Sequence, residues 1–307
     1  MTLVHLDTDI GGDIDDLCAL ALLLRWPEAE VSGITTVSEA GGRRAGYARY
    51  ALQLAGRTDI PVAAGADVAL GCYRYAPGYP DEGRYWPEPV PPRPGPLEDA
   101  LDVLAASIER GAIVVGIGPF TNLALLEKRA PGTLARARLV LMGWCVRPIR
   151  AGFPQWSAQD DYNVQMDAAA AQTVLEASEP LIVPLTVSVE TALRQAHLPA
   201  LRGGGPMAAL IARQGEAHDA DYHTAARYGA TCALLPDDII NFLHDPLAVA
   251  IALGWDGATV ERLPLMLRSD DGWLRAVEAP GGKLTAVVTA IDGERFNEFW
   301  LRRVTGA

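Results

Sequence analysis

The sequence predicts an α/β fold: an open, mostly parallel, Rossmann-like central sheet with helices on both faces, in a single domain over residues 1–307. Three observations carry that expectation. Short apolar runs of strand length alternate with longer runs of helical period, and parallel strands need such helical crossovers. The links between the first five runs are short. Hydrophobic residues make up 50% of the chain, enough for a large core, and no shift in composition marks a second domain.

The elements follow in order. Leu3, Val4 and Leu6 begin a strand that ends in the run DTDIGGDIDD, residues 7–16. Residues 14–26 are apolar at nearly every position, as in a helix buried on most of its surface, and Pro27 ends it. EVSGITTV (30–37) is the next strand, 40–57 a helix with Arg43, Arg44 and Arg49 as a basic outer face, and 61–65 a short strand. Residues 71–96 break the rhythm with eight prolines plus Tyr73, Tyr75, Tyr79, Tyr85 and Trp86. So much proline excludes regular structure, while the rings argue against plain disorder. This stretch reads either as a surface arm packed on its own rings or as a lid or oligomer contact. Alternation resumes with a helix over 97–110, a strand over 112–117, the turn GPFTN (118–122) opening a helix to Arg129, and a strand over 137–142. A long loop covers 143–161, followed by a helix (167–177) and a strand (181–185). Residues 206–232 are helical and polar, with His218, Tyr222, His223 and Tyr228 spaced to share a face. A buried helix spans 245–253, then strands over 259–265, 273–275 and 284–290 and a last helix over 292–303.

Charge narrows the function. The net charge is -12 and the only lysines are Lys128 and Lys283. Such a surface repels phosphate backbones and anionic lipid, which argues against nucleic-acid and membrane partners. Cys18, Cys72, Cys145 and Cys232 show no metal-type spacing and read as reduced apolar residues. No run reaches a membrane-spanning length, and the N-terminus lacks a basic-then-apolar leader pattern, so a cytoplasmic location is expected.

In an open parallel sheet, ligands bind beyond the carboxyl ends of the strands. Four such places carry chemistry here: residues 7–16, 118–122, 143–163 and the His244-Asp245 pair. Five aspartates within ten residues repel one another. They persist together only if a cation or a tight hydrogen-bond network offsets the cost. One or two acids would suffice to cap a helix.

The segments DTDIGGDIDD, ITTV, GPFTNLA, the MG pair at 142–143, DYNVQMD and HDPLAVA occur in that order. Together they resemble the calcium-dependent nucleoside hydrolases, which cleave the N-glycosidic bond of ribonucleosides to ribose and free base. The resemblance runs from about residue 3 to about residue 253. It implies that Asp9, Asp16 and Asp245 bind Ca²⁺ through carboxylates and Thr121 through its backbone carbonyl. An all-oxygen, acidic donor set suits Ca²⁺ and disfavours zinc. It further implies that Asp9 activates a water, that Asp15, Asp161 and Asn163 hold the ribose hydroxyls, and that His244 faces the leaving base. Relatives of this kind are homodimers or homotetramers, so the same is expected here.

The chain departs from the family pattern in the sugar grip. The first loop usually reads DxDPGxDD; here Ile10 replaces proline, and Gly12 and Asp13 are added. Asp13 reads as a surface charge or as support behind the site. Ser38-Glu39-Ala40 follows ITTV where an asparagine is usual, leaving Glu39 as the candidate substitute. Gln155 falls near the place of an asparagine that grips the 5′-hydroxyl, and Asp161 stands for a longer glutamate. Tyr222 and His223 are candidates for a wall against the base. Two other functions compete. A phosphatase of the haloacid-dehalogenase type would use Asp7-Thr8-Asp9, but neither lysine follows a strand as that chemistry needs. A non-catalytic nucleoside- or sugar-binding protein would fit the altered grip, but has no need of a metal-activated water.

Overall fold

The computed structural model describes residues 1–306 except Cys72, Ala76 and Pro77; the sequence reading of Cys72 lies outside the described residues. The chain runs β1 (Thr2–Thr8), α1 (Asp15–Leu24), β2 (Ala29–Thr36), α2 (Arg43–Leu54), β3 (Val62–Ala64), one turn of α3 (Glu82–Tyr85), α4 (Leu97–Glu109), β4 (Ile113–Gly116) and α5 (Thr121–Arg129). It continues through β5 (Arg138–Met142), α6 (Tyr162–Met166), α7 (Ala168–Ala177), β6 (Leu181–Val183), α8 (Leu185–Ser188), β7 (Leu193–Arg194), α9 (Leu198–Gly203) and α10 (Pro206–Tyr222). β8 (Ile239–Asn241), α11 (His244–Ala252), β9 (Ala258–Asp270), β10 (Trp273–Glu278), β11 (Lys283–Ile291) and α12 (Gly293–Thr305) complete it.

Among the described residues nine strands form one sheet in the order β10-β9-β11-β6-β5-β4-β1-β2-β3. Every pairing from β11 to β3 is parallel, and only β9, between β11 and β10, pairs antiparallel with its neighbours. The open, mostly parallel sheet expected from the alternation is therefore present. Strand side chains point to alternate faces, so a sheet covered on both sides needs apolar residues at every position. β5 shows this: Val140 and Met142 enter one core, Leu139 and Leu141 the other. The first core contains residues of α1, α2 and α9–α12, the second those of α4, α5 and α7. Burying each such Leu or Ile contributes about 1.5–3 kcal/mol.

Strand order reverses beside β1, which pairs with β2 on one side and β4 on the other. A crevice opens at the carboxyl ends of strands at such a switch point. The aspartate run leaves β1 there.

Several elements differ from the expectation for local reasons. α2 begins at Arg43 because Gly41 and Gly42 adopt left-handed φ values of 61° and 82°. α10 stops at Tyr222 because His223, at φ 52°, turns the chain out of the helix, and a π-turn follows at Ala225–Gly229. β7, β8, α8 and α9 are too short to show a period, and the antiparallel strand β9, paired on both sides, is longer than its apolar pattern. The proline-rich stretch packs on α2: Tyr85 and Trp86 are buried, and Trp86 stacks on Tyr47 with centroids 4.4 Å apart.

Candidate active site

β1 sets the site's base by its alternation. Val4 and Leu6 enter the apolar core, while His5 and Asp7 face the other way and meet polar partners. His5 lies between Ser107 Oγ and Thr35 Oγ1, each at 2.9 Å, and burial lowers its pKa to about 3. Thr35 Oγ1 donates to Asp7 Oδ1 at 2.5 Å, and Asn122 Nδ2 donates to the same oxygen at 2.7 Å. Burial, against those two bonds, raises Asp7 to about 7. Asn122 also donates to the Thr36 carbonyl and accepts from Ala66 N, so it ties three strand ends to the start of α5.

Beyond Thr8 the chain leaves the sheet, and its aspartates enter a cavity of about 480 Å³. That volume is ordinary for a small-molecule site. Asp9, Asp15, Asp16, Asn163, His244 and Asp245 line it together with Asp161, Trp156, Tyr79 and Tyr222. Gly11 makes the turn between them. Its φ is 94°, and a Cβ there would lie 2.2 Å from the Tyr47 ring. Asp15 and Asp16 open α1, and His244 and Asp245 open α11. Carboxylates at a helix N-terminus are favoured by the helix dipole, which is why two helix starts can carry three of them face to face.

Carboxylate oxygens of Asp15, Asp16 and Asp245 lie within 4.8 Å of one another, and all three residues are buried. Burial pushes each far above the usual carboxylate range, and the neighbouring aspartates push it further. Asp9 is raised by burial too, with the Arg44 guanidinium opposing the shift. This mutual repulsion is what a divalent cation relieves, and hard carboxylate oxygens are the donors that Mg²⁺ and Ca²⁺ take. The residues present therefore fit a divalent metal. The grouping differs from the sequence expectation in one respect: Asp15, assigned there to the sugar, stands with Asp16 and Asp245. Asp9 lies in the same cavity outside that trio. Thr121 is buried at the start of α5, where its hydroxyl donates to Asp167 Oδ2 at 2.7 Å.

The remaining expected residues divide. Asn163 Nδ2 is taken up by the carbonyls of Ile117 and Met142, at 3.0 and 3.1 Å. Asp161 caps α6 by accepting from Val164 N, also accepts from Trp144 N, and is raised to about 7 by burial. His244 Nδ1 lies 2.7 Å from Ser188 Oγ, and the ring stacks on Phe242. Burial lowers its pKa to about 4, against the pull of Asp13. Tyr222 stands in the cavity wall, stacked on His218 with centroids 4.3 Å apart.

Three expectations are corrected. Glu39 is absent from the cavity lining: its carboxylate accepts from Ala40 N, Arg44 N, Ala45 N and Thr36 Oγ1, which caps the start of α2. Gln155 is exposed and donates to the carbonyls of Arg150 and Phe153; its neighbour Trp156 lines the cavity instead. His223 is exposed and off the wall, because its left-handed backbone ends α10 one residue after Tyr222. Asp13 is half exposed, yet it lines the cavity and accepts from Asn241 Nδ2 at 2.6 Å. Arg44 is the residue that the sequence reading misplaced. It is fully buried in the cavity wall, not on an outer face. The signal was a pair of arginines in the first turn of a helix, where the dipole disfavours cations.

A family model described as inosine-uridine preferring nucleoside hydrolase matches residues 4–298. The chain is 28% identical over 303 residues to the pyrimidine-specific ribonucleoside hydrolase RihA of Salmonella paratyphi A, covering 94% of this chain and 88% of that protein. It is 33% identical over 323 residues to the uncharacterized protein C1683.06c of Schizosaccharomyces pombe, covering 98% of each. A solved structure of a purine-preferring ribonucleoside hydrolase from Gardnerella vaginalis superposes with a TM-score of 0.81 at 22% identity, covering 99% of this chain and 98% of that one. With the acidic cavity at the sheet's switch point, these matches settle the family: the chain belongs to the inosine-uridine preferring nucleoside hydrolases, which hydrolyse the N-glycosidic bond of ribonucleosides to ribose and free base.

Proposed function

We propose that Asp9 is the base that takes a proton from the attacking water, and that Asp15, Asp16 and Asp245, with the Thr121 carbonyl, hold a Ca²⁺ ion. The observation that carries this reading is the convergence of four buried aspartates in one cavity. When bound, the divalent cation offsets their charge and lowers the pKa of nearby water. Asp9 accepts the proton as the water oxygen bonds to C1′. The C1′–N bond breaks, and its electron pair leaves with the base. Positive charge then builds on the ribose ring, and the surrounding carboxylates stabilise it. Asn163 Oδ1 and Asp161 hold the sugar hydroxyls. His244, with its pKa near 4, is neutral at pH 7. Accepting from Ser188 Oγ at Nδ1, it carries its proton on Nε2 and donates a hydrogen bond from that N–H to the departing base, which takes its proton from solvent water. Trp156 and Tyr222 flank the base ring. The all-oxygen donor set favours Ca²⁺ over zinc.

Reducing-sugar release from a panel of ribonucleosides tests this, with and without EDTA and with Ca²⁺, Mg²⁺ or Zn²⁺ added back. Release that EDTA abolishes and Ca²⁺ restores best is expected. Release that survives EDTA, or that zinc restores best, overturns the metal assignment. The relatives named above differ in base class by their own descriptions, and the same panel reads the preference here. We also place the chain in the cytoplasm as a homodimer or homotetramer. Among the described residues no helix is long and apolar enough to cross a membrane. Light scattering on the purified chain and cell fractionation check those two points.

A further inference from the structure

We propose that Arg44 is a positioning residue for the attacking water: its Nη2 and Asp9 Oδ2 together hold one oxygen atom at the cavity floor. The inference rests on the reading of Asp9 as the base. Arg44 is fully buried, lines the cavity, and is the one arginine or lysine among the described residues of its lining. Backbone carbonyls fix its guanidinium. Nε donates to Ser38 O at 2.9 Å, and Nη1 donates to the carbonyls of Asp9 and Ile10. Glu39 fixes the backbone from which the side chain starts, by accepting from Arg44 N at 3.1 Å. Nη2 has no hydrogen-bond partner among the described residues. A buried donor left in that state is costly, so a ligand atom is expected beside it.

The distance to Asp9 says which atom. Nη2 stands 3.9 Å from Asp9 Oδ2, too far for a direct hydrogen bond and close enough for one oxygen to bridge the two at about 2.8 Å from each. A guanidinium that served only to neutralise the aspartates would make the shorter, bidentate contact with one of them. The Tyr79 ring covers the guanidinium at 4.7 Å from its centroid, which keeps bulk water from satisfying Nη2 instead. In the bridge, Nη2 donates to one lone pair of the water and Asp9 accepts one of its protons. The second lone pair is then aimed at C1′, where the O–C bond forms as the C1′–N pair departs with the base.

Full-length Arg44→Ala, Arg44→Gln and Arg44→Lys variants test this, assayed on p-nitrophenyl riboside with Ca²⁺. Calorimetric Ca²⁺ titration and inhibition by free ribose serve as binding readouts. Arg44→Ala is expected to lower kcat about 100-fold, the size of effect that misplacing a reactant produces. KM, the ribose inhibition constant and Ca²⁺ affinity should move by less than about 3-fold, since the lost contact is made to the water and not to the sugar. Millimolar guanidinium added to Arg44→Ala should restore part of kcat, and Arg44→Gln, which keeps a neutral donor, should retain more than Arg44→Ala. If Arg44→Ala does not fold, Arg44→Lys decides: it keeps the charge without the fork and should lose kcat at unchanged Ca²⁺ affinity. Wild-type kcat in Arg44→Lys, or losses of ribose and Ca²⁺ binding that parallel kcat, would show that charge alone matters and overturn the inference. An active Asp9→Asn enzyme breaks the base assignment itself; an inactive Asp9→Asn beside normal Arg44 variants removes the Arg44 inference alone.

Discussion

Asp9, Asp15, Asp16 and Asp245 reach the cavity from the end of β1 and from the first turns of α1 and α11. Tyr79, Trp156 and Tyr222 reach it from the proline-rich stretch, the loop after β5 and the end of α10. The floor is thus held by the sheet, and helix dipoles and a hydrogen-bond network support its charges. The walls hang on loops at Tyr79 and Trp156 and on the last residue of a helix at Tyr222. A floor built in this way carries the chemistry, because small displacements there cost rate, while walls on loops are free to set which base is accepted.

The largest effect expected is on the floor. Asp9→Asn keeps the side chain's size and removes its basicity, so kcat should fall by about 10³-fold, within the range of general-base losses. Its thermal melting should stay near wild type. Near-normal turnover in this variant would end the water-activation role. Next comes His244, where floor and wall meet. His244→Ala should lower kcat on nucleosides by about 100-fold and leave p-nitrophenyl riboside far less affected, because that leaving group needs no hydrogen bond. Equal losses on both would make His244 a shaping residue.

How much of this contrast the sequence carried follows from the same physics. The sheet was legible because parallel strands buried on both faces read as continuous apolar runs, as in IVVG and RLVLM. The four floor aspartates were legible because clustered acids at a strand end have few structural explanations, and because the motif order named a family. Glu39 was misread because a helix start can be capped by a residue four positions upstream, and no local period marks that. Arg44 was misread because an arginine pattern alone does not say which face is buried; the loop that covers it, through Tyr79, comes from elsewhere in the chain. Gln155 and His223 sat one residue away from the side chains that do line the wall, Trp156 and Tyr222. In loops the direction of each side chain depends on backbone turns that composition does not encode.

Under the floor, His5 offers a test of rigidity through pH. Its folded pKa is about 3 against an ordinary 6.5. A depressed histidine pKa means that the unfolded chain binds the extra proton first. The stabilisation is therefore complete above pH 6.5 and declines as pH falls toward 3. The slope is about 1.4 kcal/mol for each pH unit below 6.5. Asp7 and Asp161, each raised to about 7, act in the opposite sense: their contribution is present below pH 3.8 and lost as pH rises to 7. A difference measurement isolates His5. Between pH 6.5 and 5.0 the stability gap between wild type and His5→Gln, from urea unfolding, should narrow by about 2 kcal/mol. A gap that stays constant would mean that His5 titrates normally and that the network beneath Asp7 is open to water.

The smallest effect is expected on the wall, and it tests the division most directly. Tyr222 is half exposed, stacks on His218 and presents its ring to the cavity. An aromatic pair of this kind contributes about 0.5–1.5 kcal/mol, so Tyr222→Ala should raise KM for nucleosides by roughly 10-fold at most. The rise should differ between purine and pyrimidine substrates, since their ring areas differ. Inhibition by free ribose should stay unchanged, because ribose meets only the floor. If ribose inhibition weakens in step with KM, Tyr222 acts on the sugar end, and the separation of a catalytic floor from a selective wall fails. If KM rises for the nucleosides alone, the wall sets the base and can be altered without touching the chemistry beneath it.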